Sequence, residues 1–197
     1  MLAEANVLSQ RFTNLYGRFD EANEVINQEL DASTNAITAL AQNLADINER
    51  VINAMGQGGG APPNDLLDER DETMRKLAEL VSVSSYTQSN GSVNVFVGNG
   101  QPLIIGSTAS QVVAVRGASD SERMDIAFVS GGQTQIVTDK ITGGSLGGLL
   151  DFRDDVLDRS LNELGRMALV VTDAMNKQQS VGIDLNGNFG VPIFEPI

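Results

Sequence analysis

Apolar side chains recur every third or fourth position from the start of the chain: Leu8, Phe12, Leu15, Phe19, Ala22, Ile26 and Leu30, then Ile37, Leu40, Leu44, Ile47 and Val51. That period lines them up on one face of a helix. No Pro interrupts the run, and Gly17 is its only Gly through residue 55. The spacing predicts one continuous helix over 1–55, roughly 80 Å long at ~1.5 Å per residue. Globular helices average about 11–12 residues, so an element of this length is built to span. The two successive four-residue steps, Ala22 to Ile26 to Leu30, form a stutter that locally relaxes any supercoil.

Residues 56–64, GQGGGAPPN, end that helix, because consecutive Gly and Pro cannot continue it. Asn64 or Asp65 can cap a second helix reaching about Val81, with Leu66, Leu67, Met74, Leu77 and Val81 facing inward. A short turn makes that helix run back antiparallel, so Ile37, Leu40, Leu44, Ile47 and Val51 are expected to pack against it. Asp71–Arg75 and Glu72–Lys76 have the favourable i,i+4 order for its wet face. The period then changes to two. Asn90-Gly91 and Asn99-Gly100 are hairpin turns between strand-like runs at 83–88, 92–97 and 102–105. Runs at 111–115, 124–129 and 133–138 follow, separated by Gly, Ser and Asp. A helical stripe returns over 145–180 through Leu146, Leu149, Leu150, Val156, Leu157, Leu161, Leu164, Ala168, Val171 and Met175, with Gly182 as its left-handed stop. The remainder reads as loop.

The predicted class is α+β, mainly α: an elongated bundle of long helix, short helix and long helix with a small antiparallel β insert of about six strands. The corresponding parts are 1–81 (long and short helix), 82–141 (β insert), 142–182 (long helix) and 183–197 (loop toward a further domain). No βαβ alternation appears, which argues against a nucleotide-binding α/β enzyme. Both ends read as cuts through a longer chain, since the helical pattern is running at Leu2 and the last residues stop in mid-loop.

Composition narrows the function. Lys and Arg number 13 against 26 Asp and Glu, a formal charge of -13, which repels phosphate backbones and anionic lipid and argues against nucleic-acid and membrane-surface roles. The chain has no Cys and no His. Thiol catalysis, His-based triads, His acid–base chemistry and the common zinc sites are thereby excluded. The first residues carry neither a basic region nor an apolar core of a signal peptide, and no apolar stretch reaches a membrane-spanning length. No cofactor is expected.

Three places have the form of chemistry. Thr142, Gly143, Gly144, Ser145, Leu146, Gly147 and Gly148 precede a helix, but a P-loop needs Lys followed by Ser or Thr where Leu149 and Leu150 stand. Those glycines are expected to serve a tight turn and close packing. Asp184, Asn186, Asn188 and Glu195 match calcium-loop positions, yet Phe189 replaces the required Gly and Pro192 lies within the segment. Asp151, Asp154, Asp155 and Asp158, interleaved with Arg153 and Arg159, are expected to form a solvated helix face. The long stripe is different. Phe12, Leu15, Phe19, Ile26, Leu30, Leu44, Leu157, Leu161 and Leu164 exceed what so few helices can bury, so part of it is expected to pack on partner helices.

The wording of the chain is also familiar. Residues 64–71, NDLLDERD, resemble the "LLDxRD" start found in flagellar hook-associated proteins. So do Gly100 to Leu103 with Gly106 to Ala109, Ala174-Met175-Asn176, and the loop from Gly182 to Gly187. The most specific match is Gly143, Gly144, Leu146, Gly147, Gly148, Leu149, Leu150, Asp151, Phe152 and Arg153. Together they resemble the flagellar hook-associated protein 1 (FlgK) family across essentially the whole chain. The resemblance implies a non-enzymatic structural subunit joining hook to filament by helix-mediated axial assembly, and export by the flagellar type III route. It implies an extracellular location and partners that are like subunits, hook protein and the second junction protein. The isolated chain is expected to be monomeric. Alternatives are another axial flagellar subunit, flagellin-like or second-junction, and an unrelated coiled-coil adaptor.

Overall fold

The computed structural model describes residues 2–57, 63–118, 120–183 and 186–195. Helix α1 spans Leu2–Gln57 without interruption, as the unbroken period requires. Helix α2 spans Asn64–Leu80. Neither Asn64 nor Asp65 caps it: the cap position is Pro63, which has no side chain to donate or accept. The Pro63 carbonyl instead accepts from the amides of Leu66 and Leu67. The ion pairs on α2 also differ in part from the expected order. Glu72 does meet Lys76, but Arg75 pairs with Glu72 and Glu79, and Asp71 lies beside Arg70.

Strands β1 (Val83–Thr87), β2 (Val93–Val97), β3 (Gln101–Ile105) and β4 (Thr108–Ala109) form an antiparallel sheet in chain order. Strands β5 (Gln111–Arg116), β6 (Met124–Ser130) and β7 (Gln133–Ile136) form a second. The β insert is thus antiparallel as expected but comprises two sheets and seven strands, the two-residue β4 being the strand the sequence pattern did not mark. Both Asn-Gly turns fall where the hairpin chemistry places them, with Gly91 and Gly100 at φ 84° and 89°.

The predicted third helix is not uniform. Helix α3 (Gly144–Phe152) passes into a π-helical stretch, Arg153–Asp158, before helix α4 (Arg159–Ser180). Arg153 follows Leu150 by three residues and precedes Leu157 by four, which puts it on the same side of the helix as those buried side chains. Arg153, expected on the solvated face, is therefore fully buried. Gly182 donates its amide to the Gln179 carbonyl but is not among the positive-φ glycines, so the helix ends without a left-handed residue there.

The chain divides into two compact units, 1–23 with 153–197, and 24–152. The divisions fall inside helical segments, not at the edges of the β region. In the larger unit Leu30, Ile37, Leu44, Ile47 and Val51 of α1 are buried together with Leu77, Val95, Leu103, Ile104, Ile126 and Leu146. Each such side chain contributes about 1.5–3 kcal/mol of burial. Helix α2 meets α3 and approaches α1 through an Arg50–Glu69 ion pair of 3.1 Å. The strands, however, supply the hydrogen-bonded partners of α1. In the smaller unit α4 lies beside the first turns of α1, and the segment after α4 folds back on it. The Asn176 side chain accepts from the amides of Ile193 and Phe194 and donates to the Phe194 carbonyl at 2.8 Å.

Candidate assembly site

The long stripe separates by exposure. Ile26, Leu30 and Leu44 are core of the larger unit, and Leu157 and Leu164 are core of the smaller one. Phe12, Phe19 and Leu161 are half-buried. Leu15 is 42% exposed, and its neighbour Tyr16 is 55% exposed. The period of α1 is the same at both ends, but its second half is covered far more completely.

Within the smaller unit the two helices leave a groove of about 440 Å³ lined by Leu8, Phe12, Glu163, Arg166, Met167, Val170 and Val171. Met167 and Val170 are 54% and 68% exposed. On its rim Glu163 lies 3.4 Å from the Arg159 guanidinium and 4.0 Å from that of Arg166. Two adjacent helices can cover only one side of each other's apolar stripe, and the groove is the uncovered remainder. It carries apolar surface with one small ion-pair cluster on its rim, a composition suited to another helix rather than to a polar substrate.

The glycine motif is a packing device. Gly143 and Gly144 have φ 69° and 62°. A Cβ on Gly144 would stand 2.3 Å from the Leu80 carbonyl carbon, and one on Gly147 would stand 2.8 Å from that of Thr142. The start of α3 therefore crosses the end of α2 with backbone against backbone. The crossing is tied by Ser82 N–H to Thr142 O, Gly98 N–H to Ser82 O and Asn99 N–H to Lys140 O. Leu146, Leu150 and Arg153 of the same motif are buried, Leu149 is half-buried, and Gly148, Asp151 and Phe152 are exposed.

Asp151, Asp154 and Asp155 are exposed. Among the described residues no three His, Cys, Asp or Glu side chains cluster as metal ligands. Asp184 of the calcium-like loop lies outside the described residues. The rest of that loop is a small turn closed by the Ile183–Phe189 bridge and by Gly190 N–H to Gly182 O. Among the described residues no helix is long and apolar enough to cross a membrane. The Arg75 guanidinium beside Glu72 holds that carboxyl below its ordinary range.

Three side chains of α1 that the apolar reading passed over tie it to the strands. Asn27 donates to Glu122 O and accepts from Met124 N–H. Thr38 exchanges both hydrogen bonds with the backbone of Val112, at 2.8 and 2.9 Å. Asn48, fully buried, donates to Val93 O and Gly106 O at 2.7 and 2.6 Å and accepts from Val93 N–H. Their positions, 27, 38 and 48, are about three helical turns apart, so they fall near one side of α1. That spacing of short polar residues beside an apolar stripe was the available signal.

Comparison with known proteins follows the same lines. The family described as the flagellar hook-associated protein FlgK helical domain matches residues 1–194. Flagellar hook-associated protein 1 of Escherichia coli K12 is 34% identical over 196 residues, covering 98% of this chain and 36% of that protein. Its counterpart in Salmonella typhimurium LT2 is 35% identical over 196 residues, covering 98% and 35%. The solved structure of the flagellar hook junction protein FlgK from Burkholderia pseudomallei superposes with a TM-score of 0.88 at 31% identity, covering 97% of this chain and 35% of that one. The chain thus spans about a third of the length of the relatives it matches.

Proposed function

The chain belongs to the flagellar hook-associated protein FlgK helical-domain family, and from that premise we propose that it is a structural part of the junction joining hook to filament. The observation that carries the reading is the half-covered stripe of the smaller unit. A helical domain that leaves Leu15, Tyr16, Met167 and Val170 to solvent has apolar surface that a solitary protein rarely displays. In this reading the groove beside Phe12 receives a further helix in the assembled flagellum, and the buried half of α1 keeps the domain rigid while that contact forms. Like subunits, hook protein and the second junction protein are the partners. The protein acts outside the cell after type III export and carries out no reaction. The absence of His and Cys from the sequence supports that last point.

The test is genetic. Met167→Glu with Val170→Glu, introduced into the gene in its host, places two charges in the groove without touching the core. Export and fold of the protein should persist while filaments fail to attach and motility is lost. Normal filaments and normal swimming with the doubly charged groove would refute the assembly role.

A further inference from the structure

The smaller unit offers the groove; the larger unit offers something different. In a chain of formal charge -13, no Asp, Glu, Lys or Arg occurs between Glu79 and Arg116, or between Asp125 and Asp139. These neutral stretches hold β1 and β7, one outer strand of each sheet.

The ladder fixes which backbone groups of each strand point outward. Gly98 N–H donates to Ser82 O and Gln88 N–H to Ser92 O. Antiparallel strands alternate between residues that face the partner and residues that face away, so Val83, Ser85 and Thr87 turn their amides and carbonyls away from β2. Val137 N–H donates to Ile126 O, and the same alternation turns Thr134 and Ile136 away from β6. Among the described residues nothing bonds to these outward groups. All four residues of β7 are exposed, as are residues 84–87 of β1.

The other outer strands of the same unit are partly covered or short. Thr38 of α1 occupies the amide and carbonyl of Val112 in β5, Asn48 fills the end of the β2–β3 ladder, and β4 is two residues long. Proteins normally blunt an open strand edge with Lys, Pro, a bulge or an inward charge. Neither β1 nor β7 contains a charge or a Pro, and their pairing with β2 and β6 is regular.

We propose that β1 of one copy of this chain pairs edge to edge with β7 of the next. A second copy is the occupant because the chain as a whole is acidic and repels its like, whereas these two edges are neutral and of nearly equal length. Pairing β1 with β7 is head-to-tail, so it repeats from copy to copy; pairing β1 with β1 stops at two. The proposal rests on the assembly reading only for the premise that copies gather in numbers.

The chain has no Cys, so single cysteines report the contact directly. Ser85→Cys and Thr134→Cys variants of the 197-residue chain are mixed at high concentration and treated with a short bismaleimide. The mixture should give several-fold more covalent dimer than either variant alone. Adding Thr87→Pro or Thr87→Lys beside Ser85→Cys blocks the outward edge of β1 and keeps the label. Either should abolish the gain, and circular dichroism checks that β1 stays folded. A mixture no better than the separate variants overturns the proposal, as does dimer from Ser85→Cys alone at the same yield. If cross-linking fails while the charged groove still abolishes filaments, the edge contact falls and the assembly role stands.

Discussion

At the scale of single residues, the glycine motif separates geometry from composition. Gly144 and Gly148 are near neighbours at the start of α3, yet only Gly144 combines a positive φ with backbone in the space of a Cβ. Gly144→Ala should destabilise the chain by ~2 kcal/mol or more, from left-handed strain alone before the overlap with Leu80 is relieved. Gly148 has open space and sits inside the helix. Gly148→Ala should therefore stabilise by about 0.5–1 kcal/mol. Urea denaturation of the two variants measures both, and a common sign would contradict the packing account. Asn48 makes the stronger case for a polar residue as glue. Its replacement by Ala orphans buried groups of Val93 and Gly106, each costing about 1–3 kcal/mol. An Asn48→Ala loss of ~3 kcal/mol or more by the same measurement is expected.

At the scale of elements, α1 is one helix with two environments. From Ile26 onward most of its large apolar positions are buried, while Val7, Leu15 and Tyr16 are among the exposed large side chains. Helix propensity does not hold such an element together in water; packing of its face does. Amides of residues 5–20 should exchange with solvent much faster than those of 37–52, since local opening follows local burial. Equal protection at both ends in a dilute sample would mean that the first half is held by contacts other than those described. The third helical stripe shows the converse effect. Its period reads as continuous, yet the structure interrupts it with a π stretch, and a charged residue, Arg153, occupies the buried line between Leu150 and Leu157.

At the scale of the whole molecule, the acidic charge opposes the apolar and neutral surfaces. At low salt, self-repulsion should keep the chain monomeric at micromolar concentration despite its open groove and strand edges. Sedimentation velocity at rising salt checks this. Association should grow as screening shortens the reach of the charges, and a discrete large oligomer already present at low salt would contradict it.

The sequence by itself determined the elements. Periods of three to four and of two, Gly-Pro breaks and Asn-Gly turns act over neighbouring residues, and α1, α2, the hairpins and the family wording were legible for that reason. It also determined the chemistry that a chain without His or Cys cannot perform. Only the tertiary structure decided which stretch of one uninterrupted stripe becomes core, because Leu15 and Leu44 occupy equivalent places in the period and differ only in what distant segments cover them. Likewise, short polar residues such as Asn27, Thr38 and Asn48 look like ordinary helix surface until segments 45 to 97 residues away bring backbone groups to them. Burial and long-range hydrogen bonding depend on which segments meet, and no local pattern along the chain encodes that meeting.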